Sequence, residues 1–451
     1  MRKRNPAATV TVFLSIITAF LFVFEINLSS VFRLSSAPTQ GKIRRQTFGE
    51  QHRGKAKQVI SCNRSHKEYD LCSITGATIV DPVTSTFFLV DPTISGPGSI
   101  VEKIKPYPRK WENFPMKRIK ELAITSGPSG PECEVQHNSP AIVFSAGCGG
   151  YTGNVFHDFN DGFIPLFITI NSIYKNRDVV LVVSKARDWW LNRYKNPLHV
   201  FSSHPIVTLD NDPSAHCFPS ATLGFMSYGF MALMPNSSQT LLYFRGLLDK
   251  AFGHHDQYSI FNPPLKSDSP PQLVFMTRSK GIGGEILNQD EGVKVAKEIG
   301  FDIILFEPTG KISLQQAYGL INSSYAMVGM HGATLTHSLF LRPGSAFMQV
   351  MSLGIDWVGK MCFGEPARAI GIQYIEYKIK VEQRSLVEKY DKNDMVIKDP
   401  ASFQGRNWSS DVMNIYLKEQ NVKLDLVRFR DYLMETLAKQ RHSWKKWDSP
   451  I

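Results

Sequence analysis

The stretch Met327–Val350 reads MVGMHGATLTHSLFLRPGSAFMQV. An apolar run closes on His331 and Gly332. A helix-like apolar segment follows, and the turn Arg342-Pro343-Gly344 leads into a second apolar run. Short continuous apolar runs are what strands buried on both faces look like, as in a parallel sheet covered by helices. Working upstream, strands are expected at Leu273–Thr277, Phe301–Phe306 and Tyr325–Met330, and downstream at Ala346–Val350. Helical stretches near Glu291–Ile299, Leu314–Ile321 and Leu335–Leu341 separate them. This alternation predicts a doubly wound parallel sheet with right-handed crossovers.

A similar pattern precedes it. AIVFSAG (141–147), DVVLVVS (178–184) and PIVTLD (205–210) read as buried strands, and FIPLFITINSIY (163–174) as a helix. Between the two series lies NPPLKSDSPPQ, with four prolines in eleven residues, the best linker in the chain. The expectation is α/β, with two Rossmann-like lobes and a cleft. The N-terminal lobe is 61–262, the linker 263–272 and the C-terminal lobe 273–410, followed by a helical segment, 411–451. Ligands of such sheets bind beyond the carboxyl ends of the strands, which puts Arg278, Glu307 and His331 at the cleft.

The chain has 451 residues and a net charge of +11. Residues 1–60 carry ten Lys/Arg and two Asp/Glu, whereas the remainder carries 41 and 38. The globular part is therefore nearly neutral, without the basic stripe that a nucleic-acid binder needs. After a basic tail (1–6), residues 7–24 run without a charge, AATVTVFLSIITAFLFVF. As a helix they would span roughly 27 Å, enough for a thin secretory-pathway membrane. An uncleaved signal anchor is favoured over a cleaved signal peptide, with 25–60 as a basic, flexible stem. Sequons at Asn63, Asn236, Asn322 and Asn407 fit a lumenal body. So do six cysteines without zinc spacing, of which Cys62 and Cys72 are the most plausible local pair.

Candidate site residues cluster at the strand ends. Free N–H groups at Thr334 and Leu335 would begin a helix and attract phosphate. Gly332 and Ala333 leave room for a ligand to approach the backbone, and His331 adds a hydrogen-bond donor. Arg278, followed by Lys280, Gly281, Gly283 and Gly284, is placed to grip a diphosphate by two parallel hydrogen bonds. Neither the P-loop nor the dinucleotide-binding glycine pattern is present here. In GNVFHDFNDGFIP (153–165), Asp158 and Asp161 are either helix caps or, with His157, candidates for a general base. Asp161 is preferred over His157 and Asp158. The Asp210-Asn211-Asp212 triplet reads as a turn or cap rather than a metal site, and Trp189-Trp190 as core. No H-E-x-x-H or G-x-S-x-G occurs, so metalloprotease and serine-hydrolase chemistry lack their motifs.

Over most of residues 62–440 the chain resembles plant members of glycosyltransferase family 61. The anchors are PYPRK (106–110), GNVFHDFNDGFIPLFIT (153–169), HCF (216–218), GGEILNQDE (283–291) and GMHGATLTHSLFLRPGS (329–345). The resemblance implies a GT-B architecture and a single-pass type II protein of the Golgi membrane with a lumenal catalytic domain. It implies inverting transfer from a UDP-sugar, with no cofactor and no metal. Plant members act on xylan with arabinofuranosyl or xylosyl groups; animal relatives transfer N-acetylglucosamine onto proteins. The diphosphate would rest on Arg278 and His331-Gly332-Ala333, and the family's G-N-x-x-H-x-x-x-D pattern falls on Gly153, Asn154, His157 and Asp161. The chain departs from the pattern at Thr334 and His337, and it lacks an arginine near Gly284. Lys280 or the Thr334 hydroxyl would then share the diphosphate grip. The expected activity is transfer of a pentose from a UDP-sugar onto xylan, within a possible Golgi enzyme complex. A protein O-glycosyltransferase and a non-catalytic lumenal scaffold are the alternatives.

Overall fold

A computed structural model describes residues 59–93, 99–147, 150–174, 176–234, 239–253, 270–278, 283–404 and 409–447. The expected tail, anchor and nearly all of the stem lie outside these, as do Lys280, Gly281, Cys148, Asn236, Asn407 and linker residues 263–269. Among the described residues no helix is long and apolar enough to cross a membrane.

The first sheet holds β1 (Val59–Asn63), β2 (Leu71–Asp81), β3 (Thr86–Val90), β4 (Ser99–Ile104), β5 (Leu122–Gly127), β6 (Val135–Gln136), β7 (Ala141–Phe144), β8 (Val180–Val183), β9 (Val207–Thr208) and β10 (His216–Leu223). Its order is β4-β5-β3-β2-β10-β7-β8-β9, with β1 on β2 and β6 on β10. Here the expectation of a Rossmann-like lobe is only half met. β7, β8, β9 and β10 run parallel, but β1, β2 and β3 form an antiparallel meander, and β10 is antiparallel to β2. Four residues join β2 to β3, too few for the helical crossover that parallel pairing requires. β1 opens at Val59, inside the segment read as stem, and Cys62 pairs with Cys72 across β1 and β2, as expected. A second disulfide joins Cys133 to Cys217, while Cys362 is a buried free thiol.

The second sheet is fully parallel: β11 (Gln272–Met276), β12 (Asp302–Phe306), β13 (Ala326–Met330), β14 (Ala346–Met351) and β15 (Gln373–Lys378), in the order β12-β11-β13-β14-β15. This is a doubly wound sheet whose order reverses between β11 and β13. The last segment is not one continuous helix. Residues 420–425 leave the helical path, with Val422 exchanging hydrogen bonds with Glu285 and Leu287, before the helix Leu426–Trp447 begins. Val422, Leu424, Phe429 and Leu433 sit in the core of the second lobe.

Alternate residues of the buried strands sort to opposite faces. Ala141, Val143, Val180 and Val182 pack on one side of the first sheet, and Leu273, Phe275, Val328 and Met348 on one side of the second. Their neighbours Ile142, Phe144, Leu181 and Val183, with Val274, Met276, Met327 and Phe347, belong to a single cluster shared by both lobes. Residues 56–451 accordingly form one compact unit. A buried arginine ties the seam. Arg245 donates to Leu341 O (2.5 Å) and Asn322 Oδ1 (2.6 Å) and pairs with Asp249 (2.6 Å). Asn322, read from sequence as a glycan acceptor, is therefore buried and engaged, while Asn63 is exposed.

Candidate functional site

The reversal point of the second sheet brings the loops after β11 and β13 together. Arg278 Nη2 donates to His331 O (2.9 Å) and Nη1 approaches Gly283 O (3.4 Å). No carboxylate pairs with this guanidinium among the described residues, and burial lowers its pKa below the ordinary arginine value. A half-buried cation without a counter-ion favours an anion. The two flanking glycines are spaced for it. A Cβ on Gly332 would fall on Nη2, 2.9 Å from Cζ, and one on Gly284 would fall on Nη1, 3.1 Å from Cζ. Gly332, expected to leave room for a ligand, leaves room for the arginine that would meet the ligand.

The turn His331-Gly332-Ala333 forms a crest at the end of β13, and the helix after it is a 3-10 helix, Ala333–Phe340. The N–H groups of Gly332, Ala333 and Thr334 bond no described residue, whereas that of Leu335, expected to be free, is taken by Gly332 O (2.9 Å). The Ala333 and Thr334 N–H groups open this helix beside Arg278 and favour an anion there; Gly332 is extended (φ 155°, ψ 172°), so its own N–H points away from that of Ala333. His331 is buried among them. Burial, reinforced by the Arg278 charge, drops its pKa to about 3, so it is neutral. Its tautomer is fixed from behind. Tyr374 donates its hydroxyl to Gln349 Oε1 (2.8 Å), which turns the amide nitrogen toward His331 Nδ1 (2.7 Å). Nδ1 must then accept, and the proton stays on Nε2, which is left for the cleft. His337, singled out from sequence beside Thr334, lies beneath the crest rather than in the cleft. Its Nδ1 donates to Thr334 O (2.8 Å), its Nε2 is buried without a partner, and burial lowers its pKa to about 4.

The facing wall comes from the helical run Val155–Ile173, which passes through a π-helical stretch at Asp158–Phe163. Asn154 caps this run, bonding Phe156 N (3.1 Å); neither Asp158 nor Asp161 does. Asp161 is 2% exposed and lines neither cavity. Its Oδ2 accepts from Arg109 Nε (2.8 Å), His157 Nδ1 (2.8 Å) and Tyr107 OH (3.1 Å), and its Oδ1 from Asn160 (2.5 Å). Burial alone would raise its pKa, but Arg109 and the bond from His157 hold it below the ordinary 3.8. A saturated, enclosed carboxylate has no way to reach an incoming hydroxyl, so the preference for Asp161 as the base does not fit its surroundings. His157 does line the cleft. With Nδ1–H given to the ionised Asp161, its Nε2 carries the lone pair. Asp158 is a core clamp. Trp190 Nε1 (2.8 Å) and Tyr194 OH (2.7 Å) bond it, and burial raises its pKa to about 6.

Tyr107 and Arg109 came from the PYPRK anchor without an assigned role. Arg109 also pairs with Glu112 (2.6 Å), which Tyr151 OH bonds too, and Tyr151 stacks on the His157 ring (3.7 Å between centroids). The two walls enclose a cleft of about 900 Å³. On one side are Glu112, Asn154 and His157; on the other Arg278, Glu307, His331, Gly332, Ala333 and Thr334. A second cavity of about 330 Å³ adjoins it, lined by Glu285, Ile286, Leu287, Asp290 and Met330. Arg278 and Thr334 border both. Asp210 faces Lys120 (3.7 Å) and Asp212 bonds His216 (3.0 Å), and neither lines the cleft. No group of three or more His, Cys, Asp or Glu among the described residues is placed to hold a metal.

A family model described as Glycosyltransferase 61 matches residues 155–348. This span runs from the His157 helix to β14. Xylan glycosyltransferase MUCI21 of Arabidopsis thaliana is 37% identical over 402 residues, 85% of this chain and 80% of that protein. Beta-1,2-xylosyltransferase XYXT1 of Oryza sativa subsp. japonica is 32% identical over 84% of each chain. Alpha-1,3-arabinosyltransferase XAT3 of the same plant is 31% identical, over 83% of this chain and 64% of its own length.

Proposed function

The chain belongs to glycosyltransferase family 61, and on that premise we propose that it transfers a pentose, arabinofuranose or xylose, from a UDP-sugar onto xylan or its side chains. One observation carries this reading. An Arg278 with no carboxylate partner among the described residues, the N–H groups of Ala333 and Thr334 and a neutral His331 lie across one cleft from His157, which Asp161 holds from behind.

The diphosphate rests on Arg278 and the crest, with the nucleoside in the smaller cavity and the sugar in the larger. His157 Nε2 takes the proton of the acceptor hydroxyl as its oxygen bonds C1 of the sugar. The C1–O bond to UDP breaks, and its electron pair leaves on the diphosphate. Arg278, His331 Nε2–H and the N–H groups of Ala333 and Thr334 receive the growing negative charge. Base and leaving group lie on opposite walls, which supports single displacement with inversion. The Arg278 charge and fixed N–H dipoles at the leaving oxygen do the work that a divalent metal does elsewhere.

An uncharged segment at 7–24, an exposed sequon at Asn63 and two disulfides support a type II Golgi membrane protein with a lumenal body.

The test incubates the full chain with UDP-arabinofuranose, UDP-xylose or UDP-N-acetylglucosamine, with xylohexaose as acceptor, with and without EDTA. Pentose transfer that survives EDTA, with an inverted anomeric proton by NMR, is expected. UDP binding without transfer to xylohexaose would move the acceptor to protein, and no UDP binding at all would leave a scaffold.

A further inference from the structure

The second-lobe wall of the cleft carries Arg278 and N–H donors, suited to an anion, together with Glu307, Trp357 and Phe363. The first-lobe wall carries Trp111, Tyr151, Phe156 and Phe230 with the Glu112 carboxylate. Aromatic faces and a carboxylate are what a neutral sugar chain asks for, since a pyranose has an apolar C–H face and hydroxyls around its rim.

We propose that Trp111, on this wall, is the platform for the acceptor sugar ring next to the one that reacts. This rests on the transfer reading above and adds where the acceptor lies. Trp111 is 55% exposed and lines the cleft, so its ring is open to a ligand. It is nevertheless held in place. Its Nε1 donates to Glu68 Oε2 (2.7 Å), and the Arg109 guanidinium lies 5.5 Å from its ring centroid. The same guanidinium is 5.5 Å from Tyr151 and 5.8 Å from Phe230, so one buried cation organises three aromatic rings. Arg109 also grips Asp161, which orients His157. Platform and base are thus hung on one residue, and their spacing is set. A sugar stacked on Trp111 then fixes which neighbouring hydroxyl reaches His157 Nε2. Glu112, bonded to Arg109 and Tyr151 and bordering the cleft, accepts from a hydroxyl on the rim.

The experiment measures acceptor kinetics of the full chain on xylobiose, xylotetraose and xylohexaose, alongside UDP affinity by calorimetry. Trp111→Ala is expected to raise KM for the longer acceptors roughly tenfold, with kcat within about twofold, and to flatten the dependence on chain length. Trp111→Phe should keep most of the wild-type KM, and UDP affinity should be unchanged in both, which shows an intact fold. Wild-type KM values at every length in Trp111→Ala would overturn the platform. If the wild type transfers to none of these acceptors, the transfer reading fails by itself. The platform is then judged by tryptophan-fluorescence titration of the UDP-loaded protein with xylohexaose. Quenching present in the wild type and absent in Trp111→Ala supports it; no quenching, or equal quenching, refutes it.

Discussion

Gly332→Ala separates an arginine site from a ligand gap. The added Cβ would fall on Arg278 Nη2 and stand 2.9 Å from Cζ. Ordinary carbon contacts lie at about 3.5–4.0 Å, so the guanidinium must retreat by roughly 1 Å at Cζ and further at its tip. It would surrender its 2.9 Å bond to His331 O and its aim at the diphosphate. The φ of 155° at Gly332 is a further obstacle to a side chain. A hydrogen bond to a charged group contributes about 1.5–3 kcal/mol. Losing two such bonds, less what partial repositioning restores, comes to about 3–4 kcal/mol, which is roughly a 10²–10³-fold weaker Kd for UDP. Calorimetric titration with UDP reads this directly. Gly224→Ala is the control. Its Cβ would press the Asp70 carbonyl oxygen, and neither residue lines either cavity. Overpacking costs about 1–3 kcal/mol, so this variant should lose thermal stability and keep its affinity once folded. If Gly332→Ala binds UDP within about threefold of the wild type, Arg278 is not the diphosphate grip.

His157→Gln should lower kcat by about 10²–10⁴-fold with UDP affinity intact, the range for a general base, and unchanged turnover would remove it from that role. Asp161→Asn should also lower kcat. Its effect comes through the His157 tautomer and a buried Arg109 left without its carboxylate, so melting temperature should fall as well; a loss of activity with full stability would argue that Asp161 acts directly. Gln349→Glu puts a carboxylate at His331 Nδ1 and draws the proton there. Nitrogen NMR should show the changed tautomer or an imidazolium, and UDP affinity should gain a pH dependence between pH 5 and 8; wild-type behaviour in both would sink the relay. Buried His331 and His337 have folded pKa values of about 3 and 4, below an unfolded value near 6.5. The unfolded chain therefore binds more protons, and stability falls as pH drops below 6.5, by about 1.4 kcal/mol per histidine at pH 5.5. Asp158, raised to about 6, works the other way and returns about 0.8 kcal/mol, so urea midpoints should show a net loss of about 2 kcal/mol between pH 7.5 and 5.5.

The second lobe was legible because its strands are short apolar runs covered on both faces, and such runs announce themselves. Their order in the sheet was not, since an apolar run does not name its neighbours. In the first lobe the meander was opaque. β2 alternates buried and open positions around Gly76, and its partners were hidden among prolines and glycines. At the site, Arg278 and His331 followed from their place at strand ends. The His157/Asp161 spacing was visible too, but which of them faces the cleft is decided by Arg109, 52 residues earlier in the chain. That contact leaves no local trace. Gln349 did leave one, as a lone amide in the buried strand AFMQVM, where an unpaired polar group would be costly. Asn322 shows the converse: a perfect sequon pattern whose side chain is used up inside the fold.

The shared core between the two sheets bears on how members of this family can be recombined. A donor half and an acceptor half look separable where the proline-rich segment divides the chain, and exchanging halves is a natural route to new linkages. Yet Ile142, Phe144 and Leu181 pack into the same cluster as Val274, Met327 and Phe347, and Arg245 crosses to Leu341 and Asn322. A chimera cut at that segment inherits two mismatched faces of one interior. Specificity is better transplanted by grafting cleft-lining side chains onto an intact parent than by trading halves.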